Sequence, residues 1–402
     1  MTAEVGVMNG LGVALAADSA VTIGATADKI YPSADKLFKL SEEPPLGIMI
    51  YGSGSFLGIP WEPIIASYRK KLENRAAFTH AEEYAKGYVR HLKTYLRRHC
   101  TPVEQNGFVA LVALYFFYHL RARFRELSEE RIVINQNPVD NANAAMSIFL
   151  DLLADELRVT TNSARLHALP NGFERSFKNR YRRIIIAMLE YVFENFFLQM
   201  SASTKRRIVT LIAKLVTHRR AKQFAPIGVV IAGFGKDDVF PKLVEICITG
   251  VIGERFLHVV NSITVDREHP SHVEPFAQSE MAFTFLHGIH PDIRRFVERN
   301  LNPQARANWD RWLRNYADGI NKMVSSLPKG ELGALAEFLV NLTKVKHHVS
   351  KQPETVGGPI DVAVISRADG IVWIQRKHYF KAELNPQYFE RKNKERIKWK
   401  KG

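Results

Sequence analysis

Residues 2–19 read TAEVGVMNGLGVALAADS, and residues 36–54 read KLFKLSEEPPLGIMIYGSG. The first stretch is apolar at alternate positions over residues 3–8 and is followed by Asn9-Gly10. Asn-Gly between two strand-like runs predicts a hairpin, because both residues tolerate positive φ. Residues 11–17 form the return strand, and Asp18-Ser19 ends it. A loop rich in Thr, Gly, Ala and Ser leads to a third strand at residues 36–40, opened by Lys36. Pro44-Pro45 makes a turn into a fourth strand, residues 46–51, which ends in Gly52-Ser-Gly-Ser55. Small residues there let the backbone approach a ligand closely.

Working outward, the pattern turns helical from about residue 59. Ile64, Ile65, Tyr68 and Leu72 recur at helical spacing, and residues 80–99 read as a second amphipathic helix. Residues 105–222 continue with helices near 107–128, 141–158, 176–200 and 203–221, which reads as a large helical insertion. Strands resume at 227–235, 243–251 and 256–263. Helices are expected at 279–299, with a break near Gly288–Pro291, and at 309–327 and 332–348. Gly357-Gly358-Pro359 leads into a buried strand at 360–365, a turn at 367–370 and a partner strand at 371–375. No short-period repeat is present. Strands and helices alternate in blocks, which argues for α+β with helices on stacked sheets rather than a parallel βαβ sheet.

The 402 residues are 46% hydrophobic and 24% charged, as in a soluble globular protein. Two cysteines, Cys100 and Cys247, cannot build a disulfide framework and fit a reducing, cytoplasmic setting. The start lacks a basic signal-peptide region, and the apolar run 108–120 is too short to span a bilayer, so a core helix and no membrane partner are expected. The net charge of +15 is uneven: the basic tail 376–402 carries ten Lys or Arg against three Glu. Such a tail is either a solvated end or a binder of nucleic acid or an acidic partner.

Thr2 becomes the N-terminal residue when Met1 is removed, and Thr is small enough for routine removal. It then offers a hydroxyl nucleophile and an α-amine base in one residue. An α-amine titrates near about 7.7–8.0, close to an operating pH. A nearby ammonium would favour the ionised hydroxyl, and Lys36 can supply it, with Asp18 to orient and balance the lysine. A Met-Thr start alone carries little weight, since many ordinary chains share it.

With these residues in view, the sequence resembles the proteasome β-subunit family of N-terminal-nucleophile (Ntn) hydrolases, including archaeal and bacterial proteasome-like peptidases. Three blocks carry the resemblance: residues 2–7 with 12–24 (GVALAADSAVTIG), residues 35–40 with 46–54 (LGIMIYGSG), and residues 357–370 (GGPIDVAVISRADG). Together the similar regions cover roughly residues 2–90, 225–300 and 335–375. The Thr2-to-Asp18 spacing matches that of the family. Lys36 falls two positions later than the family lysine, and it is preferred to Lys29 because it opens the matching strand.

The resemblance implies a four-layer αββα sandwich as a single domain over 1–402, with the helical insertion at 105–222 within it. It implies a threonine-type endopeptidase needing neither metal nor cofactor, acting on peptide or protein substrates. Thr2 would be the nucleophile, Lys36 its activator, Asp18 the orienting acid and the Gly52 N–H the oxyanion donor. Thr22 and Ser53 would line the substrate cleft, with strand addition of the peptide. It also implies self-association, with a ring as the expected form, and a regulatory or ATPase partner.

The chain departs from the family in places. Ala20 replaces an arginine. Ser279 is the candidate for the serine that supports the amine, and Glu354 and Thr355 stand where an Asp and a Ser precede the Gly-Gly.

Two further readings compete: a silent scaffold using its basic surface for nucleic acid or an acidic partner, and an amidase for a small molecule. The histidine groups His269, His272 with Glu274, and His287, His290 with Asp292 lack a metal-site pattern and read as surface or cap histidines. Gly233-Phe-Gly235 lacks the third glycine of a dinucleotide fingerprint. The basic helices of 175–222 read as solvated faces.

Overall fold

The computed structural model describes residues 2–23, 29–131, 138–166, 170, 172–224, 227–252, 255–349 and 356–390. The N-terminal strands are β1 (Ala3–Asn9), β2 (Gly12–Ala17), β3 (Val21–Ile23), β4 (Lys29–Tyr31), β5 (Leu37–Ser41), β6 (Leu46–Gly52), β7 (Ser55–Phe56) and β8 (Ile59–Pro60). Six helices follow: α1 (Trp61–Glu73), α2 (Ala81–His99), α3 (Pro102–Arg131), α4 (Pro138–Asn162), α5 (Phe173–Gln199) and α6 (Ala202–Leu215). Then come β9 (Ile227–Gly233), β10 (Lys242–Ile252), β11 (Arg255–Thr264) and β12 (Ser271–Ala277). The chain ends with α7 (Glu280–His287), α8 (Pro291–Asn300), α9 (Pro303–Ser325), α10 (Lys329–Val349), β13 (Asp361–Ser366) and β14 (Gly370–Gln375).

The chain divides into two compact units. The first takes Met1–Tyr51, Ala232–Lys242 and Thr264–Gly402; the second takes Gly52–Ile231 and Leu243–Ile263. Both mix helices with strands, and every strand pair quoted below is antiparallel, as an α+β architecture requires.

In the first unit a five-stranded sheet has the order β12-β1-β2-β13-β14. Val5 opposes Ala16 on β2 and Pro275 on β12, and Ala16 opposes Val362 on β13. One face of this sheet (Ala3, Val5, Val7, Ala14, Ala16, Val362, Val364) packs with Leu332, Ala336, Leu339 and Val340 of α10 into an apolar core. Strands β1 and β2 are nevertheless buried at every residue, so the other face is covered too. The β5–β6 hairpin covers part of it. A Cβ on Gly47 would sit 2.8 Å from Ile365 Cδ1, so only glycine lets the hairpin lie this close.

The β1–β2 turn differs from the sequence expectation by one residue. Asn9 pairs with Gly12, so the two turn residues are Gly10 and Leu11, and neither has positive φ. Asn9 is instead a buried strand residue whose Oδ1 accepts the Leu11 N–H at 2.9 Å, an Asx turn. Its Nδ2 donates to Val324 O (3.0 Å) and Leu327 O (2.9 Å), satisfying carbonyls at the C-terminal end of α9.

The second unit is mainly helical. Phe116 and Phe117 of α3, Phe149 of α4, Tyr181 of α5 and Leu211 of α6 form one core with Ile252 and Leu257 from the strands. Within it Glu156 is buried, receiving Arg123 Nη1 at 2.6 Å and Arg220. Burial works to raise the Glu156 pKa, but His119, Arg220 and Arg123 outweigh it, and the net shift is downward. Among the described residues no helix is long and apolar enough to cross a membrane.

Candidate active site

Thr2 precedes β1, Asp18 follows β2 and Lys36 precedes β5. The β1–β2 hairpin returns Asp18 to Thr2: Asp18 N–H donates to Ala3 O at 3.1 Å, closing the open end of the hairpin. Thr2 is held from the other side, since its carbonyl accepts the Gln278 N–H at 3.0 Å just beyond β12. Lys36 is fixed through its own carbonyl, which accepts Ile50 N–H at 2.9 Å from β6.

The side chains converge. Lys36 Nζ donates to Thr2 Oγ1 at 2.6 Å and to Asp18 Oδ1 at 2.6 Å. Thr2, Asp18 and Lys36 are 3%, 1% and 5% exposed, so these bonds form away from water and are strong. Asp18 is saturated. Oδ1 also accepts Ala3 N–H (3.2 Å), and Oδ2 accepts Ala20 N–H (3.2 Å) and Gly357 N–H (3.0 Å). Four donors thus converge on this one carboxylate and hold it in place opposite the lysine.

The Gly-Gly of residues 357–358 is therefore part of the site's frame. Ser19 N–H donates to Gly357 O (3.1 Å), and Ser19 Oγ donates to Pro359 O (2.6 Å). Gly358 has φ +76°, and a Cβ there would lie 2.6 Å from Pro32 O, so a side chain would push the segment off Asp18. Residues 35–37 are clamped by a second ion-pair group. Asp361 receives Lys377 Nζ (2.5 Å) and Arg376 Nη1 (3.2 Å), and both cations also face Asp35. Arg376 donates to Leu37 O as well, at 2.7 Å. Counted on sequence with the basic tail, Arg376 and Lys377 are thus neutralised by carboxylates.

The other sequence candidates stand as follows. Gly52 is the exposed last residue of β6, with φ +86°. Ser53 is half-buried; its Oγ accepts Ser55 N–H (3.3 Å) and its carbonyl accepts Trp61 Nε1–H (2.9 Å). Thr22 is the central residue of the short β3–β4 ribbon, opposite Ile30, and Lys29 opens β4 there. Ser279 stands one residue beyond the Gln278 that bonds Thr2, at the N-terminus of α7, where its side chain makes no cap bond. Glu354, Thr355 and residues 391–402 of the basic tail lie outside the described residues.

One residue of the site escaped sequence reading. Glu4 is 0% exposed, and neither carboxyl oxygen has a hydrogen-bond partner. Burial pushes its carboxyl well above the usual range; the Lys36 charge works against this and the Asp18 charge with it. It follows Thr2 by two positions, so strand alternation turns it to the same side. A lone Glu in an alternating strand reads as a solvent-facing residue, and only the cover over both faces reveals otherwise.

A Ser–His contact in the second unit has different chemistry. Ser67 Oγ lies 2.8 Å from His91 Nε2, and His91 Nδ1 lies 2.9 Å from Lys71 Nζ. An ammonium only donates, so Nδ1 accepts and Nε2 carries the hydrogen toward Ser67. Burial and Lys71 push the His91 pKa to about 4. The ring is neutral in the tautomer that cannot deprotonate the serine. His290 caps α8, its Nδ1 accepting Asp292 N–H at 3.2 Å, and among the described residues no three ligand-type side chains gather as a metal site.

No family model matches this chain, and no curated protein does. Among solved structures it is similar to the Anbu (Gly-1) mutant from Hyphomicrobium sp. strain MC1, at 12% identity over 99% of this chain and 97% of that one. The TM-score is 0.30, too loose a superposition to carry fold or activity from one chain to the other.

Proposed function

We propose that this chain is a threonine-type endopeptidase, with Thr2 as nucleophile once Met1 is removed. The observation that carries this reading is Lys36 Nζ at 2.6 Å from both Thr2 Oγ1 and Asp18 Oδ1, inside a water-excluded site. The ammonium would stabilise negative charge developing on Oγ1, and Asp18 would keep it aimed at Thr2. The freed α-amine would take the hydroxyl proton as Oγ1 attacks the peptide carbonyl. The Gly52 N–H would receive the carbonyl oxygen as it becomes an oxyanion. Collapse of the tetrahedral adduct would pass the proton to the leaving amine and leave an ester on Thr2. Water, deprotonated by the same amine, would hydrolyse that ester and regenerate the hydroxyl.

In this reading Thr22 and Ser53 border the substrate strand, and Ser279, Glu354 and Thr355 support the amine. The wider proposal is the four-layer Ntn architecture, a homo-oligomer and a regulatory or ATPase partner. Intact mass of the purified protein and peptide hydrolysis by wild type and Thr2→Ala test it together. Loss of Met1 and loss of hydrolysis in the variant are expected. Retained Met1 with no hydrolysis would instead favour a non-enzymatic binding role for the basic surface.

A further inference from the structure

One row of side chains runs across the first unit's sheet on the face turned away from the α10 core. Strand register places Phe276, Glu4, Ala17 and Asp361 side by side on β12, β1, β2 and β13. Asp18 follows Ala17 directly, and Thr2 shares the side of Glu4. The two acids of the row are both buried, at 0% and 1% exposed, but are treated oppositely. Asp361 receives Arg376 Nη1, Lys377 Nζ and the Lys377 N–H, whereas both oxygens of Glu4 have no partner. Burying an unpaired carboxylate costs far more than burying the neutral acid, so Glu4 holds its proton, whereas Asp361 is met by two cations.

The charged and titratable groups that face Glu4 can be named element by element. Asp18 comes from the end of β2, Lys36 from the segment before β5, and from β6 Tyr51 stacks on Phe276, the neighbour of Glu4, with ring centroids 5.9 Å apart. On β12, Glu274 and then His272 lie one and two rows along; they bond each other at 2.8 Å. Asp361 on β13 is separated by Ala17 and compensated by its two cations. Lys36 is the cation of this set that reaches Thr2, and it is shared between Asp18 and Thr2. With Glu4 neutral, the Lys36–Asp18 pair sums to zero and the ammonium can support an oxyanion on Thr2. An ionised Glu4 would make the group net negative and oppose that oxyanion.

Resting on the threonine-nucleophile reading above, we propose that Glu4 is a positioning residue of this site. As a neutral carboxylic acid it keeps the Lys36 charge available to Thr2, and its ionisation would switch the site off. The deprotonation sends the Glu4 proton to solvent and requires no other reactant.

The test is the rate of covalent labelling by an electrophile directed at N-terminal threonine, followed from about pH 6 to about pH 9.5. In wild type and Glu4→Gln alike the rate is expected to rise as the Thr2 amine loses its proton, and any fall at higher pH, where Glu4 would lose its own, is expected in wild type alone. Glu4→Gln, an isostere that cannot ionise, is expected to keep the rise and replace the fall with a plateau. Glu4→Met provides a second neutral variant should the glutamine fold poorly. A second readout needs no activity: the melting temperature of Glu4→Gln should exceed that of wild type by a margin that widens from pH 5 to pH 8. Coincident alkaline falls, or a constant melting-temperature margin, overturn the role of Glu4 while leaving Thr2 as nucleophile. Absence of labelling in wild type at every pH overturns the nucleophile reading, and the role given to Glu4 with it.

Discussion

Lys36 does two jobs with one ammonium. It neutralises Asp18, a buried carboxylate, and it donates to the Thr2 hydroxyl. Lys36→Met would separate them. A buried ion pair broken at one partner costs about 3–5 kcal/mol, and the three backbone N–H donors that remain on Asp18 favour the lower end. Urea unfolding measures that cost. Labelling of Thr2 should slow by about 10²–10⁴-fold, the range for losing a positioned acid–base group. Slowing of less than about tenfold would mean that the lysine is structural only. The Thr2, Asp18 and Lys36 set was legible through the three blocks of family resemblance, and the structure brings these side chains together. Glu4 was not, because its burial depends on what covers the second face of β1, which no local pattern encodes.

Element-level reading succeeded where periodicity was long. The helices expected near 107–128, 141–158 and 176–200 are found as α3 (Pro102–Arg131), α4 (Pro138–Asn162) and α5 (Phe173–Gln199). It fails at β12, where no strand is expected and His269 and His272 read as surface or cap histidines. Pro270 and Pro275 in and before that strand argue against a central position. The strand is in fact at the sheet edge, where proline is tolerated, and Pro275 pairs opposite Val5. The short β3–β4 ribbon was also missed, and Lys36 proves to precede β5 instead of opening it. Near Asn9-Gly10 the expected hairpin is present, but its turn lies one residue further on and the asparagine acts as a buried clip on α9. Asn9→Ala should therefore cost about 1–3 kcal/mol, because it removes two hydrogen bonds, to the Val324 and Leu327 carbonyls. Asn9→Asp should cost more, since it sets an acceptor against acceptors. Chemical denaturation of both variants checks the order, and an exposed-turn role would make both nearly silent.

At the scale of the molecule, two buried glutamates pull stability in opposite directions with pH. Glu4 is raised in the folded chain, so the native state keeps a proton that the unfolded chain releases above about pH 4.3. Stability then falls as pH rises, by about 1.4 kcal/mol per unit for one proton, until Glu4 itself ionises. Glu156 is lowered, so its contribution is present at neutral pH and is lost as pH falls through the acid range. Unfolding free energies from pH 4 to pH 8 should show the Glu4→Gln curve rising more steeply with pH than wild type, and Glu156→Gln removing the loss on the acid side. Parallel curves for all three proteins would mean that neither carboxyl is perturbed.

The central claim concerns Thr2, and its most direct measurement is the site of a covalent adduct. Wild-type protein is treated with an electrophile that requires both a hydroxyl and a free α-amine, then digested and sequenced by tandem mass spectrometry. The expected result is one adduct, on an N-terminal Thr2 lacking Met1, and none in Thr2→Ala. An adduct of equal yield in Thr2→Ala, or an unmodified Thr2 still carrying Met1, would contradict it.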